Sequence, residues 1–189
     1  MPGAEVVRDV LRRVAQLLAA WPHPSAIIGG IAITARVRPR LTDDIDLIIT
    51  VPAGSLEALL SVARSHGFVE EDGPLARELA EAGLLRLWSS QDVDRFGVDL
   101  IFVDSEQLER AAQRATTVDM GFCQLPVASL EDLLLLKLEA NRPQDIDDIL
   151  AIKHAHLEAL DMDYVRAGAE RLGLAALLAT YFSPLHPRE

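Results

Sequence analysis

Apolar and polar positions divide the chain into elements of two kinds. Along residues 4–20, Val6, Val7, Val10, Leu11, Val14, Leu17 and Leu18 recur at helical spacing. They predict an amphipathic helix, ended by Trp21-Pro22-His23-Pro24. Ser25–Ile28 then reads as a short strand, Gly29-Gly30 as a turn, and Ile31–Ala35 as a short helix. Ile45–Val51 is a strongly apolar strand stopped by Pro52-Ala53-Gly54, with Ser55 as N-cap of a helix to about Ser65. Phe68–Glu70 and Leu84–Trp88 are strands on either side of a helix over Leu75–Ala82. Gly97–Val103 is apolar enough to sit centrally in a sheet. Gln107–Arg114 reads as a helix, and Thr116–Met120 with Phe122–Val127 as a hairpin around Gly121.

The last third changes to helical spacing throughout. Ser129 caps Leu130–Ala140, with Asp132 near the helix start, and Pro143 opens a helix continuing through Asp145–His156. Met162–Arg171 and Leu174–Phe182 follow, then a loose tail over Leu185–Glu189. The fold class expected is α/β (α+β): a mixed sheet of four to six strands flanked by helices, with a helical C-terminal part. The boundary falls near residue 128, giving an α/β core over residues 1–128 and a helical subdomain over residues 129–189. No Ser/Gly/Pro-rich spacer separates them.

Composition narrows the function. With 189 residues, half of them hydrophobic, the chain buries a core without staples. Cys123 is the only cysteine, so no intrachain disulfide forms, which fits a reducing cytoplasm. The start of the chain lacks the pattern of a signal peptide, and no apolar run approaches the roughly 18 residues of a membrane span. A net charge of −11 disfavours general nucleic-acid binding. Arg36, Arg38 and Arg40 are the local exception, either as a phosphate-contacting patch or as solvated loop residues.

The chemistry lies in acids placed inside apolar strands. Asp44-Ile45-Asp46-Leu47 puts two carboxylates on one strand face, and Phe96-Gly97-Val98-Asp99-Leu100 puts a third on another strand. An ionised carboxylate in such surroundings is costly unless paired or bound to a cation. Gly29-Gly30 lets backbone N–H groups approach a phosphate closely. Mg2+ takes oxygen ligands, one or two carboxylates plus phosphates and water, and phosphoryl transfer uses it to neutralise phosphate charge. The residues therefore point to a site for a nucleoside triphosphate with Mg2+ or Mn2+, with Asp44 and Asp46 as metal ligands and Asp99 as a metal ligand or as the base for an incoming hydroxyl. Thr42 either orients Asp44, contacts phosphate or serves the turn, and Asp43, Asp92, Asp94 and Asp104 read as loop and turn residues. His23, His66, His154 and His156 lack zinc-site spacing.

Ile28-Gly29-Gly30 followed by Asp44-Ile45-Asp46-Leu47 resembles the signature of the DNA polymerase β-type nucleotidyltransferase superfamily. Arg40-Leu41-Thr42-Asp43-Asp44-Ile45-Asp46-Leu47 is closer still to the minimal bacterial nucleotidyltransferases related to AbiEii-type toxins. Leu136-Lys137-Leu138-Glu139-Ala140 and Arg142-Pro143-Gln144-Asp145-Ile146-Asp147-Asp148 are similar to that group's Lys…Arg-x-Lys-Asp-x-x-Asp motif. The resemblance implies Asp44, Asp46 and Asp99 as catalytic and metal-holding residues. It also implies nucleotide contacts at Gly29, Gly30, Thr42, Lys137, Arg142 and Asp145. It implies transfer of a nucleoside monophosphate to a hydroxyl of RNA, protein or a small molecule, and an antitoxin partner. Two positions depart from the pattern: Gly30 replaces a serine found in many active members, and Gln144 stands where the toxin group has lysine. They motivate a second expectation, a non-catalytic binding or regulatory module on the same fold. The chain is also shorter than the full toxins, so a further substrate-binding domain is expected to be missing.

Without the resemblance, Lys137 reads as a lysine snorkelling from a packed helix, and Arg142, Asp145 and Asp148 as a helix-start charge network.

Overall fold

The computed structural model describes residues 4–89 and 96–182. Asp92, Asp94 and the tail expected over Leu185–Glu189 lie outside them. The elements run α1 (Ala4–Ala20), β1 (Ser25–Ile27), α2 (Gly29–Arg36), β2 (Asp44–Ile49), α3 (Leu56–Ser65), β3 (Phe68–Glu70), α4 (Pro74–Glu81), β4 (Leu84–Ser89), β5 (Gly97–Phe102), α5 (Glu106–Gln113), β6 (Thr116–Asp119) and β7 (Gln124–Val127). Four helices complete the chain: α6 (Leu130–Ala140), α7 (Pro143–His156), α8 (Met162–Arg171) and α9 (Ala175–Phe182). Two compact units form, Met1–Ala35 with Pro39–Ala128, and Arg36–Arg38 with Ser129–Glu189. No helix among the described residues is long and apolar enough to cross a membrane.

The first unit is built on one mixed sheet with strand order β3-β4-β5-β2-β1-β7-β6. Seven described strands pair, where four to six were expected. The short β3 and the β6–β7 hairpin, weak by sequence, gain ladders from long-range neighbours: β3 on β4, and β7 on β1 through Ile27↔Val127. β5 lies between β4 and β2, parallel to β2 and antiparallel to β4, the interior position its apolar run predicts.

Strand alternation separates the two faces of this sheet. Ile45 pairs Val98, and Leu47 pairs Leu100, which also pairs Leu85. These side chains, with Leu87 and Ile49, are buried. Burying each such side chain contributes about 1.5–3 kcal/mol. Because the period is two, this strongly apolar set fixes the register and forces Asp44, Asp46, Arg86 and Asp99 to the other face. A slip of one residue would bury the acids and expose the aliphatic row.

Local differences from the expected elements have local causes. β2 begins at Asp44 and ends at Ile49, where Thr50 N–H instead donates to Pro24 O. Gly29 and Gly30 form the first turn of α2 and do not precede it, since Ala32 N–H donates to Ile28 O. Ser55 occupies the N-cap position of α3, but its side chain makes no capping hydrogen bond. Ser129 does cap α6: its hydroxyl oxygen accepts from Asp132 N–H at 3.1 Å.

In the second unit, α6 ends at Asn141, whose φ of 45° lies in the left-handed region that asparagine tolerates. Pro143 then opens α7 at a position needing no N–H. α6 is apolar on most sides, and Leu133, Leu134, Leu135 and Leu138 are all buried.

Candidate active site

The site is assembled by strand register. Asp46 on β2 is the direct partner of Asp99 on β5, and Asp99 is in turn the partner of Arg86 on β4. The three residues form a row across three strands, and Asp44 lies two residues from Asp46 on the same face. One carboxylate oxygen from each of Asp44, Asp46 and Asp99 lies within 4.8 Å of the others. Asp44 and Asp46 are half-buried, and Asp99 is buried.

The glycine pair closes one side of this cluster. Ile28 N–H donates to Asp46 O at 2.9 Å, which brings the β1–α2 junction against β2. Gly29 has φ +61°, and a Cβ there would fall 2.0 Å from Asp46 Oδ2. Only glycine lets backbone and carboxylate approach so closely. A Cβ on Gly30 would meet Thr42 Cβ and Oγ1, both at 2.8 Å, and Arg40 Nη1 at 3.0 Å. The Thr42 hydroxyl therefore occupies the space that a serine side chain at position 30 would need. That hydroxyl donates to Asp44 Oδ1 at 3.0 Å, so Thr42 orients the first acid. Thr34 holds the Arg40 backbone in both directions through its hydroxyl at 3.2 Å. The first-turn N–H groups of α2 lack intrahelical acceptors, the usual anion-binding feature of a helix start.

Sequence reasoning missed Arg86. Its Nε donates to Asp99 Oδ1 at 2.6 Å and its Nη2 to Asp99 Oδ2 at 2.5 Å, a two-pronged clamp. The hydrogen bond to Asp99 raises the Arg86 pKa above its ordinary value against the opposing effect of burial, with the charges of Asp99, Asp44 and Glu71 adding to it. The available signal was one arginine at the outward position of Leu84-Leu85-Arg86-Leu87-Trp88. Only the register of β4 on β5 says which acid it meets.

The donor set suits a hard cation. All three carboxylates offer oxygen, and close like charges are costly without a compensating cation. Arg86 supplies one positive charge from the Asp99 side.

The remaining expected contacts, Lys137, Arg142 and Asp145, meet one another in the second unit. Lys137 Nζ donates to Asp145 Oδ1 at 2.7 Å and pairs with Asp148 Oδ2 at 3.0 Å. Arg142 donates to Asp145 Oδ2 from Nε at 2.7 Å and from its backbone N–H at 3.1 Å. Lys137, Asp145 and Asp148 are buried. Lys137 therefore does not snorkel to solvent; it lies between two acids spaced by one helical turn on α7. Asp145 has no exposed surface, and both its oxygens are engaged inside the unit. Burial alone would push its carboxyl up, but hydrogen bonds from Arg142 and Lys137 outweigh that and hold it below the usual aspartate value. Gln144, the departure from the motif, is exposed in the first turn of α7.

A family profile described as nucleotidyl transferase AbiEii toxin, Type IV TA system, matches residues 12–173. The chain belongs to the AbiEii nucleotidyltransferase family. Solved structures, a nucleotidyltransferase-like protein among them, share the fold. The antibiotic-resistance factor ANT(2'')-Ia in solution superposes with a TM-score of 0.62 at 16% identity, covering 94% of this chain and 98% of that one. An antigenic nucleotidyltransferase-like protein from Paracoccidioides brasiliensis gives 0.58 at 18% identity, covering 94% and 97%. JHP933 from Helicobacter pylori gives 0.55 at 12% identity, covering 96% and 80%. At these identities the likeness speaks to the fold. No curated protein sequence matches the chain.

Proposed function

We propose that this AbiEii-family chain transfers a nucleoside monophosphate from a nucleoside triphosphate to a hydroxyl acceptor. The observation that carries the reading is the carboxylate cluster of Asp44, Asp46 and Asp99, held beside a glycine turn that no larger residue would permit. Asp44, Asp46 and Asp99 would hold Mg2+ or Mn2+. When bound, such a cation neutralises the triphosphate and stabilises charge on the reacting oxygens.

The chain's own residues have distinct tasks. Gly29 and Gly30 present backbone N–H groups to phosphate oxygens, with the Arg40 guanidinium beside them. Thr42 keeps the Asp44 carboxylate turned inward. The acceptor oxygen forms a bond to the α-phosphorus as the bond to the β-phosphate oxygen breaks. Pyrophosphate leaves with the electron pair, and the acceptor proton passes to Asp99. Lys137, Arg142 and Asp145 act as a brace within the second unit.

The acceptor is the hydroxyl of an RNA, a protein or a small molecule. ANT(2'')-Ia has been solved in complex with adenylyl-2''-tobramycin. We further propose a cytoplasmic toxin held in check by an antitoxin partner; the family's description as a Type IV TA toxin supports the partner.

The test is incubation with each labelled NTP and Mg2+ or Mn2+ in the presence of cell RNA and protein. Label should enter one acceptor class and disappear with Asp46→Asn. No labelling under any condition would refute the catalytic reading and favour a binding module. Thr42 weighs against the module, because it returns a hydroxyl to the space beside Gly30.

A further inference from the structure

Arg86 stands in the same row as the acids but belongs to none of the roles above. It approaches Asp99 from the side opposite Asp46, because β5 lies between β4 and β2. Its guanidinium lies 5.5 Å from the Trp88 ring, close enough for a cation–π contact. Gly97 lies beside both: a Cβ there would make ordinary contact, 3.4 Å from the Trp88 ring and 3.7 Å from Arg86 Nε. The Arg86 side chain is 39% exposed while that of Asp99 is 12% exposed, so the clamp closes over the acid from the solvent side.

We infer that Arg86 is a built-in counter-ion that tunes the site, lowering its affinity for a divalent cation while fixing the Asp99 carboxylate in its working orientation. This rests on the metal-holding reading of the three acids. A carboxylate has about four lone-pair positions, two on each oxygen. The fork of Arg86 takes one on each oxygen of Asp99, so the acid still offers an oxygen toward Asp46 but cannot rotate. A fixed positive charge on the far side opposes the entry of a second one. The device makes the site tolerable without a cation and keeps cation binding reversible.

The test is Mn2+ titration of the full chain, followed by the electron paramagnetic resonance signal of free Mn2+, for wild type, Arg86→Gln, Arg86→Lys and Asp46→Asn. Arg86→Gln should bind Mn2+ about tenfold more tightly, the size of effect one nearby charge exerts at a solvent-facing site. Its turnover should fall, because Asp99 is no longer held. Arg86→Lys keeps the charge, so its affinity should stay within about twofold of wild type even though the fork is lost. Affinity in Arg86→Gln that is unchanged or weaker overturns the inference. If that variant does not fold, Arg86→Lys decides: a large change in affinity overturns the counter-ion role. Wild-type binding that Asp46→Asn abolishes, with no tightening in Arg86→Gln, refutes the Arg86 role alone. No Mn2+ binding by wild type refutes the metal reading and this inference with it.

Discussion

Gly29 and Asp46 are in such close approach that a single methyl group on the glycine would overlap the carboxylate, falling 2.0 Å from its Oδ2. The contact joins the turn proposed for phosphate to the acid proposed for the cation. Gly29→Ala would incur both a positive-φ penalty of about 1–2 kcal/mol and a displaced Asp46. Misplacement by about 1 Å at a reacting centre costs on the order of a hundredfold in rate. Labelled-nucleotide transfer should therefore fall by about that factor while Gly54→Ala, at a positive-φ glycine with open space around it, leaves transfer intact. Wild-type turnover in Gly29→Ala would show that the approach has no functional consequence.

Gly30 and Thr42 compete for one volume. Gly30→Ser alone should destabilise the chain by about 1–3 kcal/mol, the usual effect of overpacking. With Thr42→Gly in the same chain the serine gains room, and a double-mutant cycle by urea unfolding should return a coupling of about 1–2 kcal/mol. Strict additivity would mean that the two positions do not share space.

Asp145 makes the second unit sensitive to acid. Its folded pKa lies below the ordinary aspartate value near 3.9 because Arg142 and Lys137 hydrogen-bond the charged form. The native state thus binds fewer protons than the unfolded chain. The stabilisation is fully present above the ordinary value and is lost as pH falls through the lower, folded one. Asp145→Asn should cost about 3–5 kcal/mol at neutral pH, since it leaves Lys137 buried with half its partners. The same variant should lose less stability than wild type on acidification below pH ~4, measured by urea unfolding across pH. Parallel acid profiles would contradict the assignment.

Tyr164 reaches from α8 to α6, donating its hydroxyl to Asp132 Oδ1 at 2.7 Å, while Ser129 donates to Asp132 Oδ2 at 2.7 Å. Asp132 has no exposed surface. Tyr164→Phe should lower stability by about 1.5–3 kcal/mol, the worth of a hydrogen bond to a charged group. A loss near zero in thermal or chemical unfolding would show that Asp132 finds another donor.

Asp44 and Asp46 share a face because alternate residues of a strand always do, and that much is written in four consecutive letters of the sequence. The strands themselves were legible for the same reason: Ile45, Leu47 and Ile49 form a stripe that only a buried face explains. Helices α1 and α6 to α9 followed from spacing at three and four residues and from the caps at Ser129 and Pro143. Lys137 was harder, because snorkelling and burial look alike in a helix of leucines. The two acids of α7 that settle it are partners only after the helices pack.

Local chemistry and periodicity, then, determined the elements and the placement of Asp44 and Asp46 on one strand face, because each depends on residues a few positions apart. Tertiary structure alone decided that Asp99 stands between Asp46 and Arg86, that Thr42 fills the space beside Gly30, and that Asp145 is sealed with Lys137. Those relationships join residues on different strands and helices. They are set by sheet register and helix packing, which minimise exposed apolar surface over the whole chain, and no single segment carries that information.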